Sequence, residues 1–368
     1  MDRRRFIKDA GALAVLSAGG ASWYGYDRGV LSIGEGSPYA PWQDWRDGSG
    51  GATLALVRAA ILAASPHNTQ PWRFRTQTSS VELYIDRQRN VGPLDPYLRE
   101  EYIGMGCALE NLVLAASAHG YAAEVTLSGG PLTQNSLEPQ SQFVARADLS
   151  AGKRCESELY QAIPDRHTNR GVYDPTQLLP RSFTDELCRL PAAGEDVKLF
   201  LISEESQRRK TVEWSAAANQ ELYSDPQVEA ASERWIRLTQ SDVKKFRDGL
   251  TIDNFGLSPL TAGVAKTLPA FILRRMVERG QRIGYAERML SAPLIGLIAV
   301  RDRYSQAQSV NAGRVWQRAH LFAAWRHGRR MNWRSGLITN ACRAGLRRRW
   351  RAWLRLPAMT RGSRHLSF

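Results

Sequence analysis

An α+β fold is predicted, and three patterns predict it. Residues 72–76 and 81–86 are short strand-like runs joined by the polar turn Thr78-Ser79-Ser80, which reads as an antiparallel pair. Residues 97–119 carry a long helical pattern that stops at Gly120. Both kinds of pattern return later in the chain with a faint repeat. Gly106, Leu114 and Ala116 correspond to Gly313, Leu321 and Ala323 at a constant offset of 207. Small residues at helical spacing mean close helix packing in any case.

In chain order, residues 37–51 (SPYAPWQDWRDGSGG) are rich in turn formers and read as a lead-in. Helical periodicity covers 53–64, and the two strands follow. A loop with Gly92, Pro93 and Pro96 precedes the long helix, after which strands are expected at 122–127 and 143–147. A second unit opens near Ser157 with a helix to Ala162, the polar loop 165–170, a helix at 183–190 and a strand at 197–202. Residues 203–290 read as mostly helical. A strand at 294–300 and a helix at 312–326 close the recognisable part. The domain reading is a signal or anchor over 1–30, a first half over 31–150, a second half over 151–325 with a helical insertion at about 203–290, and an atypical basic tail over 326–368.

Composition narrows the function classes. The formal charge is +14, but 15 of the 50 basic residues are arginines between Arg303 and Phe368, a stretch without Asp or Glu. The first 302 residues keep 35 basic against 36 acidic residues, so the body is nearly neutral and lacks a nucleic-acid-binding motif. Cys107, Cys155, Cys188 and Cys342 are widely spaced and form no CxxC, and no HExxH or other clustered ligand spacing occurs, so no metal site is expected. The cysteines read as buried free thiols. The tail is open to two readings, a basic membrane-surface helix around 343–356 or a disrupted chain end.

The start of the chain, MDRRRFIKDAGALAVLSAGG, sets a basic cluster before a short apolar run at 10–18, the layout of an export signal. Arg3-Arg4-Arg5-Phe6-Ile7-Lys8 resembles the twin-arginine motif R-R-x-F-[LI]-K. That resemblance implies the twin-arginine export machinery as a partner and a periplasmic or exported location. Ala18-Gly19-Gly20-Ala21 offers no clean A-x-A, so both a cleaved and an inner-membrane-anchored form stay open.

Two polar loops are the candidate site. Ser65-Pro66-His67-Asn68-Thr69-Gln70-Pro71-Trp72 lies between a helix and a strand, and its two prolines stiffen it. A stiff loop showing Ser, His, Asn and Gln suits a polar ring edge; the alternative is an ordinary connector. Arg166-His167-Thr168-Asn169-Arg170 spaces two guanidinium groups around a hydroxyl, a pattern that suits a phosphate, or else gives solvated surface arginines.

Together these loops resemble the flavin-dependent nitroreductase family, which carries an R-x-S-x-[RK] segment and a P-S-S-x-N-x-Q-P-W turn. The glycine-rich stretch 104–120 after the turn is a third match. In ordinary family members the arginine segment comes first. Here it follows the turn by roughly 100 residues, and the resemblance is to the fused-dimer branch, in which one chain mimics a nitroreductase dimer and some members sequester FMN beneath a lid. The resemblance spans roughly residues 50–323. It implies FMN as cofactor, with Arg166 and Thr168 on the phosphate, Asn169 beside them, and Arg170 near the pyrimidine edge. Ser65, Pro66, His67, Asn68 and Gln70 would meet the ring from the other half. Pro66 stands where the family has Ser, and the family's terminal basic pair is not found.

The resemblance implies hydride transfer through the flavin to nitroaromatic or quinone-like small molecules. No catalytic acid or base is expected, because the flavin carries the chemistry. The alternative is an FMN-sequestering protein without efficient turnover, which the helical insertion favours. A monomer mimicking a dimer is the expected assembly, with membrane association through the N-terminal segment or tail.

Overall fold

The computed structural model describes residues 36–134, 139–174, 179–192 and 194–330. The twin-arginine-like start and the tail beyond Arg330 lie outside the described residues. The expected α+β class holds: helices pack on antiparallel sheets.

Residues 40–151 contain α1 (Ala40–Asp44), α2 (Ala52–Ala60), β1 (Trp72–Gln77), β2 (Ser80–Asp86), α3 (Arg99–Ala118), β3 (Tyr121–Leu127) and β4 (Ser141–Ala151). The four strands form one antiparallel sheet in the order β1-β2-β4-β3. β4 runs longer than the apolar run at 143–147 because it pairs on both sides. The ladders to β2 and β3 draw in Ser141, Gln142, Ser150 and Ala151, whose side chains alone carry no strand signal. Gly120 ends the α3 region with φ 82°, as its position after the helical pattern predicts. The lead-in is more than a lead-in: Trp45 is only 6% exposed and joins the main core. An indole removes enough apolar area to fix a segment that turn formers alone would leave loose.

Residues 158–330 contain α4 (Glu158–Gln161), α5 (Arg181–Leu187), β5 (Val197–Ile202), α6 (Glu205–Leu222), α7 (Pro226–Glu233), β6 (Ile236–Arg237), α8 (Gln240–Phe246), β7 (Leu250–Thr251), α9 (Pro259–Lys266), α10 (Ala270–Ile283), α11 (Tyr285–Ser291), β8 (Ile295–Val300) and α12 (Gln306–Arg330). β5 and β8 form an antiparallel pair, Val197 opposite Val300 and Ile202 opposite Ile295. The helical insertion therefore sits where a hairpin turn would be. It carries its own cluster of Leu238, Ile252, Ala262, Ala265, Leu273 and Val277. No helix among the described residues is long and apolar enough to cross a membrane.

α3 is buried nearly all round, and α12 crosses it inside the same core: Val310, Trp316, Leu321 and Ala324 pack with Met105, Leu109 and Leu112. The crossing explains Gly106 and Gly313. A β-carbon on Gly106 would lie 1.9 Å from the Val310 carbonyl oxygen, and one on Gly313 would lie 2.0 Å from that of Ile103. Only glycine permits this approach. The contacts are reciprocal, since Ile103 and Val310 are also 207 apart. The same exchange relates Glu110–Arg318 to Gln317–Asn111, an ion pair at 3.3 Å and a side-chain hydrogen bond at 2.8 Å.

The cysteine expectation needs correction. Cys107 is buried at this crossing, but Cys155 and Cys188 are exposed. Cys155 follows β4 in a loop and Cys188 caps α5, positions that no core covers.

Candidate functional site

The two polar loops meet. Arg166 is 5% exposed, and its Nη2 donates to the carbonyl of Leu62, just before the first loop, at 3.2 Å. The charge of Arg170 reaches His67 within that loop. Arg166 also lies over the ring of Trp42 (5.7 Å to the centroid), and the same indole packs on His167 at 4.7 Å.

The Ser65–Gln70 loop is strained. His67, Asn68 and Gln70 have φ values of 46°, 55° and 52°, and Arg247, which touches Gln70, has 53°. Four of the six non-glycine residues with positive φ among the described residues thus lie at one contact. The left-handed region costs an L-residue about 1–2 kcal/mol, so something must hold the loop there. Part of the restraint is internal: Ser65 Oγ accepts from the Gln70 amide at 3.0 Å, and Pro66 packs against Gly104.

The rest comes from the helical insertion. Asn68 Nδ2 donates to the Gly249 carbonyl at 3.1 Å, and the Gly249 amide donates back to the Asn68 carbonyl at 3.1 Å. Gln70 Nε2 donates to the Arg247 carbonyl at 2.7 Å, and His67 Nε2 lies 2.9 Å from Ser232 Oγ. Asp248 pairs with Arg89 of the first half and Arg237 of the insertion. The insertion is therefore seated on the loop, and the side chains of His67, Asn68 and Gln70 are engaged with it.

Positive charge dominates the electrostatics. Burial pushes the Arg166 guanidinium down to about 10; Cys107 opposes this, and Arg170 pushes the same way as burial. Burial and then Arg288 lower Arg170. Burial and then Arg170 lower His67 to about 4. Burial and then Arg166 lower His167, with only Asp165 opposing. Neither Arg166 nor Arg170 forms an ion pair among the described residues, and Arg166 Nε is buried without a hydrogen-bond partner. Cations that depress one another in a low-dielectric pocket create a strong potential for an anion.

The remaining expected residues divide. Asn169 is half-buried and shapes the turn, accepting from the Gly171 amide at 2.9 Å. Arg170 donates to the Asn254 carbonyl at 3.4 Å, so it too touches the insertion. Thr168 is exposed. Three residues were missed in the sequence. Trp42 was hidden in the turn-rich lead-in, although two tryptophans three apart were a usable signal. His320 is fully buried, its Nε2 3.2 Å from the His167 carbonyl oxygen, and Arg288 faces Arg170; neither sits in a recognisable spacing. No group of three or more His, Cys, Asp or Glu side chains suited to a metal occurs among the described residues.

No family model matches the chain. "Uncharacterized protein Rv3127" of Mycobacterium tuberculosis is 28% identical over 186 residues, 49% of this chain and 51% of that protein. "Putative NAD(P)H nitroreductase Rv3131" of the same organism is 33% identical over 121 residues, 32% of this chain and 33% of the relative. "Probable NAD(P)H nitroreductase PigM" of Serratia is 33% identical over 124 residues, covering 33% and 34%. The matches thus span about half of the first relative's length and about a third of the other two. These distant homologues support a nitroreductase-type kinship for the chain.

Proposed function

We propose that the chain is an FMN-binding, nitroreductase-like oxidoreductase whose two halves mimic a nitroreductase dimer and share one composite site. The observation that carries this reading is the buried Arg166 of one half, without an ion-pair partner among the described residues, bonded to Leu62 just before the strained Ser65–Gln70 loop of the other. A buried guanidinium without a counter-charge is costly, and a phosphate offsets that cost with charge-assisted hydrogen bonds. FMN fits this donor set. Arg166 and Thr168 would hold its phosphate, and Arg170 would stand where negative charge develops on reduction. Ser65, Pro66, His67, Asn68 and Gln70 would flank the ring, and the helical insertion would exclude water from it. Bound FMN would supply hydride transfer to nitroaromatic or quinone-like acceptors. The reciprocal crossing of α3 and α12 supports the two-half reading, because exchange of equivalent contacts characterises a two-fold interface. The twin-arginine-like start supports export, which would remove the protein from cytoplasmic nicotinamide nucleotides and require another donor.

A second reading, FMN sequestration without efficient turnover, is favoured by the engagement of Asn68, Gln70 and His67 with the insertion. The visible spectrum of the purified chain tests both. A flavin spectrum, with FMN released on heating, supports the composite site; turnover of a nitroaromatic or quinone acceptor with NADH, NADPH or an artificial electron donor then selects the reductase, and its absence with all of these selects sequestration. A colourless protein that takes up no added FMN refutes both readings.

A further inference from the structure

α12 carries two buried ring nitrogens without a hydrogen-bond partner, on His320 and Trp316. His320 is fully buried, and its Nδ1 has no hydrogen-bond partner. Its Nε2 lies 3.2 Å from the His167 carbonyl oxygen, which can only accept, so the proton of the neutral ring sits on Nε2 and Nδ1 carries a lone pair. Trp316, one turn earlier, meets His320 edge-on at 4.6 Å between ring centroids, and its Nε1–H is also buried and unpartnered. Arg166 Nε–H is a third buried nitrogen without a partner. Among the described residues, the charged and titratable groups facing His320 are Arg166 and His167.

Buried polar groups are normally satisfied. Three unsatisfied ring or guanidinium nitrogens, linked by the Arg166–His320 and His320–Trp316 approaches, make a site for an oxyanion rather than for a neutral group. A phosphate oxygen cannot face the bare Nδ1 lone pair. Either the ring gains a proton there, or the phosphate keeps one and donates it. A phosphate monoester is close to a dianion at neutral pH, so both arrangements consume one proton from solvent.

We propose that Arg166 Nε, His320 Nδ1 and Trp316 Nε1 form one phosphate-monoester pocket, and that occupying it takes up a proton at His320. The identification of the phosphate as that of FMN rests on the reading above. Burial and the neighbouring Arg166 hold His320 neutral before the anion arrives, which is what makes the uptake measurable.

The test is calorimetric titration of the full chain with FMN and with riboflavin, near pH 7.5, in phosphate-free buffers of different ionisation enthalpy. FMN binding should take up about one proton and riboflavin none. His320→Gln should abolish the uptake and weaken FMN roughly tenfold or more, leaving riboflavin affinity unchanged. Trp316→Phe keeps an aromatic ring in the core and should weaken FMN several-fold while the uptake persists, so the pocket stays testable if His320→Gln folds poorly. Equal proton uptake by the wild type and His320→Gln, or equal affinity of the wild type for FMN and riboflavin, overturns the pocket. If neither flavin binds the wild type, inorganic phosphate replaces them. Phosphate binding with an uptake lost in His320→Gln keeps the pocket and discards the flavin reading, and failure to bind phosphate discards the pocket as well.

Discussion

Gly313→Ala should destabilise the protein, and the same substitution in an exposed helix would do the opposite. Alanine is about 1 kcal/mol better than glycine in a helix interior. Here the new methyl would lie 2.0 Å from the Ile103 carbonyl oxygen and 3.0 Å from the Gly106 α-carbon. The obstacle is backbone, so no side chain can rotate away. The helices must separate by roughly 1 Å before ordinary contact is reached, in a core where Met105, Leu109 and Leu112 are fully buried. Overpacking costs about 1–3 kcal/mol, and a backbone clash belongs at the upper end, which leaves a net loss of about 2 kcal/mol. Gly106→Ala meets the Val310 carbonyl at 1.9 Å and should cost the same. The pair should not add. One separation of α3 from α12 makes room for both methyl groups, so the double variant should lose about 1 kcal/mol less than the sum. Urea unfolding followed by circular dichroism reads all four corners of this cycle. Unchanged or raised stability in Gly313→Ala, or strict additivity, would refute the reciprocal crossing.

Three other predictions follow from the site. Arg166→Ala should weaken FMN binding by about 1.5–3 kcal/mol, read by flavin fluorescence quenching, and unchanged affinity would remove Arg166 from the phosphate. Asp248→Asn strips the charge from a residue 8% exposed that pairs with Arg89 and Arg237. Loss of one partner from a buried ion pair costs about 3–5 kcal/mol, so hydrogen exchange across 236–251 should speed up; unchanged protection would mean that Asp248 does not hold the insertion down. His67, lowered to about 4 by burial and Arg170, is neutral in the fold while the unfolded chain takes up a proton below about 6.5. Its contribution is therefore whole above pH 6.5 and is lost as pH falls from there toward 4, by up to about 3 kcal/mol. His67→Gln should flatten that slope in urea titrations, and an unaltered slope would count against a half-buried, neutral His67.

Most elements were legible because each carries a local signal. Val81, Leu83 and Ile85 alternate on a strand whose inner face is fully buried, and Gly120 marks the end of α3. The two candidate loops were legible for the same reason, since prolines and clustered polar residues punctuate the chain. What stayed hidden depends on partners distant in sequence. The insertion was visible as helix, but nothing local shows that Gly249 pairs with Asn68 across 181 residues. His320 reads as one of several polar residues on its helix, and only the fold turns it toward Arg166. Residues 141 and 142 are polar and still strand, because ladder pairing overrides their propensity.

If the chain joins two halves, as proposed, the position of the insertion bears on why it would do so. In the first half, β1 and β2 turn tightly, with Gln77 opposite Ser80. In the second half, β5 and β8 pair in the same antiparallel sense, but residues 203–294 stand in place of the turn. That segment crosses to the first half and docks on Asn68, Gln70 and Arg89. A symmetric homodimer could not keep this arrangement at one site only, because an isologous interface copies every insertion to both. On the two-half reading, covalent fusion frees one hairpin turn to grow while the other stays short. The arginine segment can then be kept in one half and the strained loop in the other. On the same reading, the Gly106–Gly313 crossing stays reciprocal because both halves need a small residue there.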